Sequence, residues 1–338
     1  MEQSIFGNAK WITPEEKTEA EVRKGAGYLR KSFEVREDMR NGNERKETFL
    51  LHATAHGLYG IRINGEPVTN ALFTPGCDEY DKRLQYQTYD VTKYVCAGRN
   101  EMIVTLGDGW YRGCNGIDGV RNLFGEDLSF LCRLEVGRTI LQTDESWEGA
   151  QDGPILLTDL ELGETYDARR ENQQTWHPVR VLGFPFSNLV STETVPVTEH
   201  ETFEGKLIIT PNGEKVYDFG QNLAGYSSFV VEDAKEGQEI ILIHGETLDE
   251  NGNFTIANFQ PGDRNKSGGI KQEIHYICKQ GRNEYKPSFS MFGFRYAKLV
   301  SDPDFPAEKL RVKSIAVYSD MRETAAFTCS EESINRLY

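Results

Sequence analysis

Basic residues are scarce in this sequence, and they form no polybasic run. The 338 residues include 38 Lys and Arg against 53 Asp and Glu, which gives a formal net charge of −15. Nucleic acids and anionic lipid surfaces are bound through clustered Lys and Arg, so we expect no nucleic-acid partner and no membrane partner. No stretch of the sequence approaches the roughly 20 apolar residues that span a bilayer.

The marks of secretion and of a zinc site are also missing. The start, MEQSIFGNAKWITPEEK, lacks the basic-then-apolar order of a signal peptide, so we expect a cytoplasmic protein unless the chain has been trimmed. The cysteines stand singly without a CxxC pair, which argues against structural zinc and a redox dithiol. We expect reduced and mostly buried thiols. The six are Cys77, Cys96, Cys114, Cys132, Cys278 and Cys329.

Strand patterns, in contrast, are abundant. Apolar residues occupy every second position in Phe49–Ala55 and again in Tyr59–Ile63, and Asn64-Gly65 follows as the dipeptide of a tight hairpin turn. Further strands are predicted at Met102–Leu106, Leu207–Ile209, Glu239–His244, Ile274–Cys278 and Arg311–Val317. The 32 Gly and 12 Pro separate these runs at short spacing. The pattern predicts an all-β chain of antiparallel, jelly-roll-like β-sandwiches.

A change of composition suggests a domain boundary. Residues 187–204 are polar, Thr-rich and free of Gly, and a strand with a hairpin turn follows them. We therefore predict one β-domain over residues 1–197 and a second over residues 198–318. Residues 319–338 then form a linker and the start of a helix.

The last residues follow a helical pattern. Ser330 precedes Glu331 and Glu332, so a hydroxyl and two carboxylates meet the amino end of the predicted helix. Ile334 and Leu337 begin an apolar stripe. A helix this short is unstable without tertiary packing, so the stripe needs a partner. We expect an exposed stub whose partner lies outside this chain.

An ordered series of segments resembles the N-terminal portion of the bacterial α-L-rhamnosidases, glycoside hydrolase family 78. The segments are Ala55–Tyr59 with Asn64-Gly65, Thr74–Tyr80, Tyr86–Thr92, Leu106–Tyr111, Gly163–Arg169, Tyr217–Gly225, Gly245–Leu248, Phe292–Tyr296 and Phe327–Ser330. Each motif alone is weak. Their order from about Lys10 to the last residue makes the resemblance specific.

The resemblance implies two β-sandwich domains followed by an (α/α)6 barrel that carries the catalytic carboxylates. It also implies hydrolysis of terminal α-L-rhamnosyl groups with inversion, which needs a general acid and a general base roughly 6.5 to 9.5 Å apart. The positions that match these two residues lie beyond Tyr338. The expected partners are therefore a rhamnose-containing glycoside and the catalytic barrel of the same polypeptide, and no cofactor is required.

One candidate sugar site is the segment from Asp108 to Gly113. Trp110 and Tyr111 offer flat aromatic surfaces, and Asp108 and Arg112 offer polar groups suited to hydroxyls. The alternative is that Trp110 fills the sandwich core. Some relatives of this β-domain bind rhamnose through calcium, and the resemblance makes Asp108, Asp118 and Asn122 the oxygen ligands to test here.

The motif Gly163–Arg169 contains a second candidate group. Glu164, Asp167 and Arg169 have the chemistry to bind vicinal sugar hydroxyls, or to form a buried ion pair that holds a loop. Three functions stay open at this point: the non-catalytic β-portion of a rhamnosidase, a carbohydrate-binding module that stands alone, and a scaffold that binds nothing.

Overall fold

The computed structural model describes residues 5–15, 25–40, 48–116, 119–260 and 269–337. The strands of the first half are β1 (Trp11–Thr13), β2 (Gly27–Val35), β3 (Leu50–His56), β4 (Leu58–Ile63), β5 (Glu66–Pro67), β6 (Leu84–Asp90), β7 (Gly98–Gly107), β8 (Ser129–Glu135), β9 (Thr139–Gln142), β10 (Glu148–Ala150), β11 (Ile155–Asp159), β12 (Gly163–Asp167), β13 (His177–Pro178), β14 (Arg180–Leu182) and β15 (Leu189–Ser191).

The second half continues with β16 (Val197–Glu204), β17 (Lys206–Ile209), β18 (Lys215–Ala234), β19 (Glu239–Gly245), β20 (Thr247–Leu248), β21 (Phe254–Thr255), β22 (Glu273–Ile277), β23 (Gly281–Tyr285), β24 (Phe292–Ser301) and β25 (Leu310–Ser319). The helices are α1 (Glu37–Arg40), α2 (Gly109–Arg112) and α3 (Glu332–Leu337). Each helix in the described ranges falls short of the length and apolar character needed to cross a membrane.

The first sandwich consists of two sheets. One has the order β14-β1-β8-β3-β6-β15, with β9 beside β8, and the other has the order β13-β10-β2-β7-β4-β5. Their inner faces enclose a core that includes Trp11, Phe49 and Phe130. The predicted Asn64-Gly65 turn is confirmed, because both residues have positive φ, 52° and 86°, as the tight turn between β4 and β5 requires.

The second sandwich is a single ten-stranded sheet that curls on itself. Its order is β11-β12-β22-β19-β24-β18-β25-β16, and β17 and β23 also pair with β18. The first part of the 20-residue β18 pairs with β17 and β24, and its later part pairs with β25 and β23. The core enclosed by this curled sheet includes Phe229, Tyr276 and Phe294. The predicted all-β fold of two sandwiches is confirmed.

A third apolar cluster joins the two sandwiches. Tyr28 and Leu58 from the first sandwich meet Tyr226, Phe289 and Val317 from the second, and all five are buried. This burial favours a fixed arrangement of the two sandwiches, since apolar area removed from water stabilises at about 25 cal/mol per Å².

The strands do not follow the predicted division at residue 197 throughout. β16 begins at Val197 and joins the second sheet, as the division requires. However, β11 and β12 also belong to that sheet, because β12 pairs in parallel with β22 over Gly163–Asp167. Part of the predicted first domain therefore completes the second sandwich, and the boundary itself stays a prediction.

None of the six cysteines forms a disulfide, but fewer of them are buried than expected. Cys114, Cys132 and Cys278 are buried, Cys77 and Cys96 are exposed, and Cys329 is intermediate. The expectation of mostly buried thiols is therefore wrong for half of them. Cys77, Cys96 and Cys329 lie in segments between the strands and helices, where no alternating pattern directs a side chain into a core.

Candidate functional site

The segment after β7 forms the short helix α2, and its charged residues lie inside the protein. Arg112 donates from Nε to Asp108 Oδ1 at 2.9 Å, and its Nη1 atom contacts Glu15. The side chains of Arg112, Asp108 and Glu15 are 3%, 0% and 0% exposed. This ion cluster holds the segment around Glu15 against α2 in the first sandwich.

The prediction that Asp108, Tyr111 and Arg112 contact sugar does not fit their burial. The Tyr111 ring lies 5.0 Å from His56 and 5.1 Å from Tyr80 between ring centroids, within the first core. Trp110 is half-buried and packs against both the first core and the cluster between the sandwiches. The structure therefore favours the alternative in which Trp110 is a packing residue.

Calcium does not fit at Asp108. One carboxylate oxygen accepts from Arg112, and the other, Oδ2, has no hydrogen-bond partner but lies 3.7 Å from Arg121 Nη2. A calcium ion within its usual 2.3–2.6 Å of this carboxylate would lie beside two guanidinium groups. Asn122 follows Arg121 in a left-handed conformation, with φ 58°, and its N–H donates to the Arg112 carbonyl. Asp118 lies outside the described residues.

Glu164 on β12 is a buried carboxylate that fastens a loop. It accepts hydrogen bonds from Ser288 N at 2.9 Å and Phe289 N at 3.0 Å, and it also accepts from the hydroxyl of Tyr285. Burial raises the pKa of Glu164 to about 7, although these hydrogen bonds oppose the rise. Glu164 is 1% exposed, and its hydrogen bonds connect β12 to the loop after β23. Its burial does not fit the predicted contact with a sugar.

Replacing Glu164 by glutamine tests the role of this buried carboxyl through the pH dependence of stability. A carboxyl whose folded pKa is raised contributes stability that is fully present below its unfolded pKa, near 4.5, and is lost as pH rises through about 7. The shift corresponds to about 3 kcal/mol, at about 1.36 kcal/mol per unit. Relative to the wild type, Glu164→Gln should gain about this much unfolding free energy between pH 4.5 and pH 8. Parallel stability profiles from denaturant titrations at each pH would contradict the assignment.

Asp167 and Arg169 form a local ion pair at the edge of the second sandwich. Arg169 Nε lies 2.8 Å from Asp167 Oδ1, and Arg169 Nη2 lies 2.9 Å from Asp167 Oδ2. These hydrogen bonds, with a smaller opposing effect of burial, lower the pKa of Asp167. The Asp167 carboxylate also caps the short 3-10 turn Ala168–Arg170. The structure thus supports the loop-holding alternative for this pair.

The sequence-predicted residues therefore lie in three separate clusters and do not converge on one site. Groups of three or more His, Cys, Asp or Glu side chains with metal-binding geometry are absent from the described part of the chain.

A groove between the two sandwiches is a feature that sequence reasoning missed. It has a volume of about 680 Å³. One wall consists of β4 with Pro67 and residues 69–73, and the other consists of Glu199, Tyr226 and residues 286–289. Because the lining residues come from distant parts of the chain, no local motif marks it.

The described residues thus form two β-sandwiches joined by an apolar interface and followed by a short exposed helix. The model of the alpha-L-rhamnosidase N-terminal domain matches residues 44–201, and the bacterial alpha-L-rhamnosidase concanavalin-like domain matches residues 208–318. The chain belongs to the bacterial α-L-rhamnosidase family, and the resemblance drawn from its motifs is confirmed.

Individual relatives agree with this assignment. An α-L-rhamnosidase of Formosa agariphila is 30% identical over 92% of this chain and 34% of its own length. The crystal structure of an Aspergillus terreus α-L-rhamnosidase superposes with a TM-score of 0.86 at 32% identity, over 98% of this chain and 38% of that one. The crystal structure of a Streptomyces avermitilis α-L-rhamnosidase complexed with L-rhamnose superposes with a TM-score of 0.79 at 29% identity. This match covers 94% of this chain and 31% of that one. The chain thus spans about a third of the length of these relatives.

Proposed function

We propose that this chain is the non-catalytic β-domain portion of an enzyme that hydrolyses terminal α-L-rhamnosyl groups with inversion. The proposal depends on one observation: this chain matches proteins named α-L-rhamnosidases over only about a third of their length. Inversion needs an acid and a base on opposite faces of an accessible sugar. The candidate carboxylates of this chain, Asp108, Glu164 and Asp167, are instead buried and held by internal partners.

The proposed partner of the chain is a helical catalytic domain supplied by the remaining length of such an enzyme. Helix α3 carries Ile334 and Leu337, whose side chains are 47% and 87% exposed, and none of its described residues is buried. Met321, in the preceding segment, is 73% exposed. A six-residue helix gains little stability by itself, so an apolar face of this kind is expected to pack against further helices.

Leu337 should therefore contribute almost nothing to the stability of this chain. Leu337→Ala is expected to change the free energy of unfolding by less than about 0.5 kcal/mol, the usual range for surface positions. The matched control is Leu131→Ala, which removes the same atoms from a fully buried position and should cost about 2–5 kcal/mol. Denaturant titration of both variants measures the contrast. A cost at Leu337 equal to that at Leu131 would show that α3 already packs within this chain.

The proposed substrate is a rhamnose-containing glycoside, and the acid and base of hydrolysis come from the helical domain. On this proposal the two sandwiches hold and shape the catalytic domain and need no cofactor. The cytoplasmic location stays a prediction from the sequence.

A further inference from the structure

The groove between the sandwiches contains a glycine that packing does not explain. Gly60 lies in the middle of β4, between the buried Tyr59 and Ile61, and it is exposed. A Cβ atom built on Gly60 meets no atom within 4 Å, and its φ does not lie in the left-handed range. Glycine within a strand costs stability and often marks a place where a ligand approaches the backbone. Here the missing side chain keeps the groove open.

The groove has the size and position of a small-ligand site. Its volume of about 680 Å³ lies within the roughly 300–1,000 Å³ range of ligand pockets, which favour the junctions between domains. Gly60 pairs with Thr105 on β7, so the wall at this point is bare backbone beside a short hydroxyl side chain. Phe73 and Pro287 add apolar surface. A flat ring can lie against this wall without displacing a side chain.

Hydrogen-bond donors and acceptors line the opposite side of the groove. Lys286 Nζ and the Tyr226 hydroxyl both donate to the Glu199 carboxylate. Glu199 is 33% exposed and Lys286 is 50% exposed, so each keeps capacity for a further hydrogen bond. Partial burial opposes ionisation of Glu199, but the bonds from Lys286 and Tyr226 lower its pKa, which leaves a charged acceptor at neutral pH. Asn70 and Ser288 also line the groove.

We propose that this groove, formed by Gly60, Thr105, Glu199 and Lys286, binds a neutral pyranose unit of a glycan. The apolar C–H face of a pyranose can pack against the exposed backbone of β4 at Gly60. Its hydroxyls can donate to the Glu199 carboxylate and accept from the Lys286 ammonium. The opposite charges of Glu199 and Lys286 balance, so this pair gives no preference for an acidic sugar. Arg62 also lines the groove, and it donates to the carbonyl oxygen of Gly65. The site goes beyond the proposed function, because it lies wholly within this chain and does not require the catalytic domain.

The test is ligand-observed NMR titration of this chain with L-rhamnose, D-galactose and D-galacturonate as probes. At least one neutral sugar should bind saturably in the millimolar range. Gly60→Leu, which fills the groove without a clash, should weaken that binding at least tenfold. Gly183→Leu is the matched control, since Gly183 also has open space around its Cβ position and no left-handed φ, and it should bind as the wild type does.

Several outcomes would overturn the proposal. These are the absence of saturable binding by either neutral sugar, equal binding by Gly60→Leu and the wild type, and binding of D-galacturonate alone. Thermal unfolding of both leucine variants checks that they fold, and Glu199→Gln supplies a second variant that should weaken binding by losing the charged acceptor. Turnover of a rhamnoside is not among the readouts, so failure here is distinct from failure of the proposed function.

Discussion

Replacing Arg112 by alanine is expected to lower the free energy of unfolding by about 3–5 kcal/mol, the cost of breaking a buried ion pair. The guanidinium is 3% exposed and bonds to Asp108 and Glu15, which are both buried. Burial opposes its charge, but the two carboxylates raise the pKa of Arg112, so it stays a cation. Without it, the buried carboxylates of Asp108 and Glu15 both lose their contact with the Arg112 guanidinium. Urea titration followed by tryptophan fluorescence measures the loss.

The matched control is Arg36→Ala, which removes an arginine from a pair with Asp38 on the surface. Both side chains of that pair are more than 60% exposed, so no measurable change is expected. Arg112→Lys keeps the charge but loses the two-armed geometry, so it should fall between the wild type and Arg112→Ala. Equal stability of Arg112→Ala and the wild type would mean that the cluster does not hold Glu15 to α2.

Gly163→Ala is the second substitution that we expect to lower the free energy of unfolding strongly. Gly163 begins β12 with φ of +109°, and a Cβ atom there would lie 1.8 Å from the carbonyl oxygen of Glu273 on β22. Backbone strain of about 1–2 kcal/mol and overpacking of about 1–3 kcal/mol together predict a loss of roughly 4 kcal/mol. The parallel pairing of β12 with β22 should separate first.

Gly137→Ala distinguishes the two causes. Gly137 also has a left-handed φ, +64°, but a Cβ atom there meets nothing within 4 Å. Its substitution should therefore cost only the strain of about 1–2 kcal/mol. If denaturant titration gives the two alanine variants the same stability, the close contact between Gly163 and Glu273 is not a constraint on the fold.

The sequence predicted the local features of the fold well, because these depend on neighbours in the chain. Strict alternation marked β4 and β7, and the Asn64-Gly65 turn followed from its preference for positive φ. The pairing of β12 with β22 was not predicted. It joins residues about 110 positions apart, and a strand pattern contains no information about which distant strand it will meet.

The candidate site was less predictable for the same reason. Asp108, Trp110 and Arg112 have the chemistry of a sugar site, but Arg112 meets Glu15, which lies 97 residues earlier. That long-range contact converts an apparent binding motif into an internal ion cluster. Conversely, Gly60 carries no chemical group, so its position in the groove became meaningful only when the facing residues were in place.

We expect the acid and the base that cleave the glycosidic bond to come from the helical catalytic domain and not from the two sandwiches. The direct measurement is the rate at which the purified 338-residue chain releases the chromophore of a chromogenic α-L-rhamnoside. We predict a rate equal to that of the buffer alone. Clear turnover that disappears when one carboxylate of this chain, such as Glu164 or Asp167, is replaced by its amide would contradict this expectation.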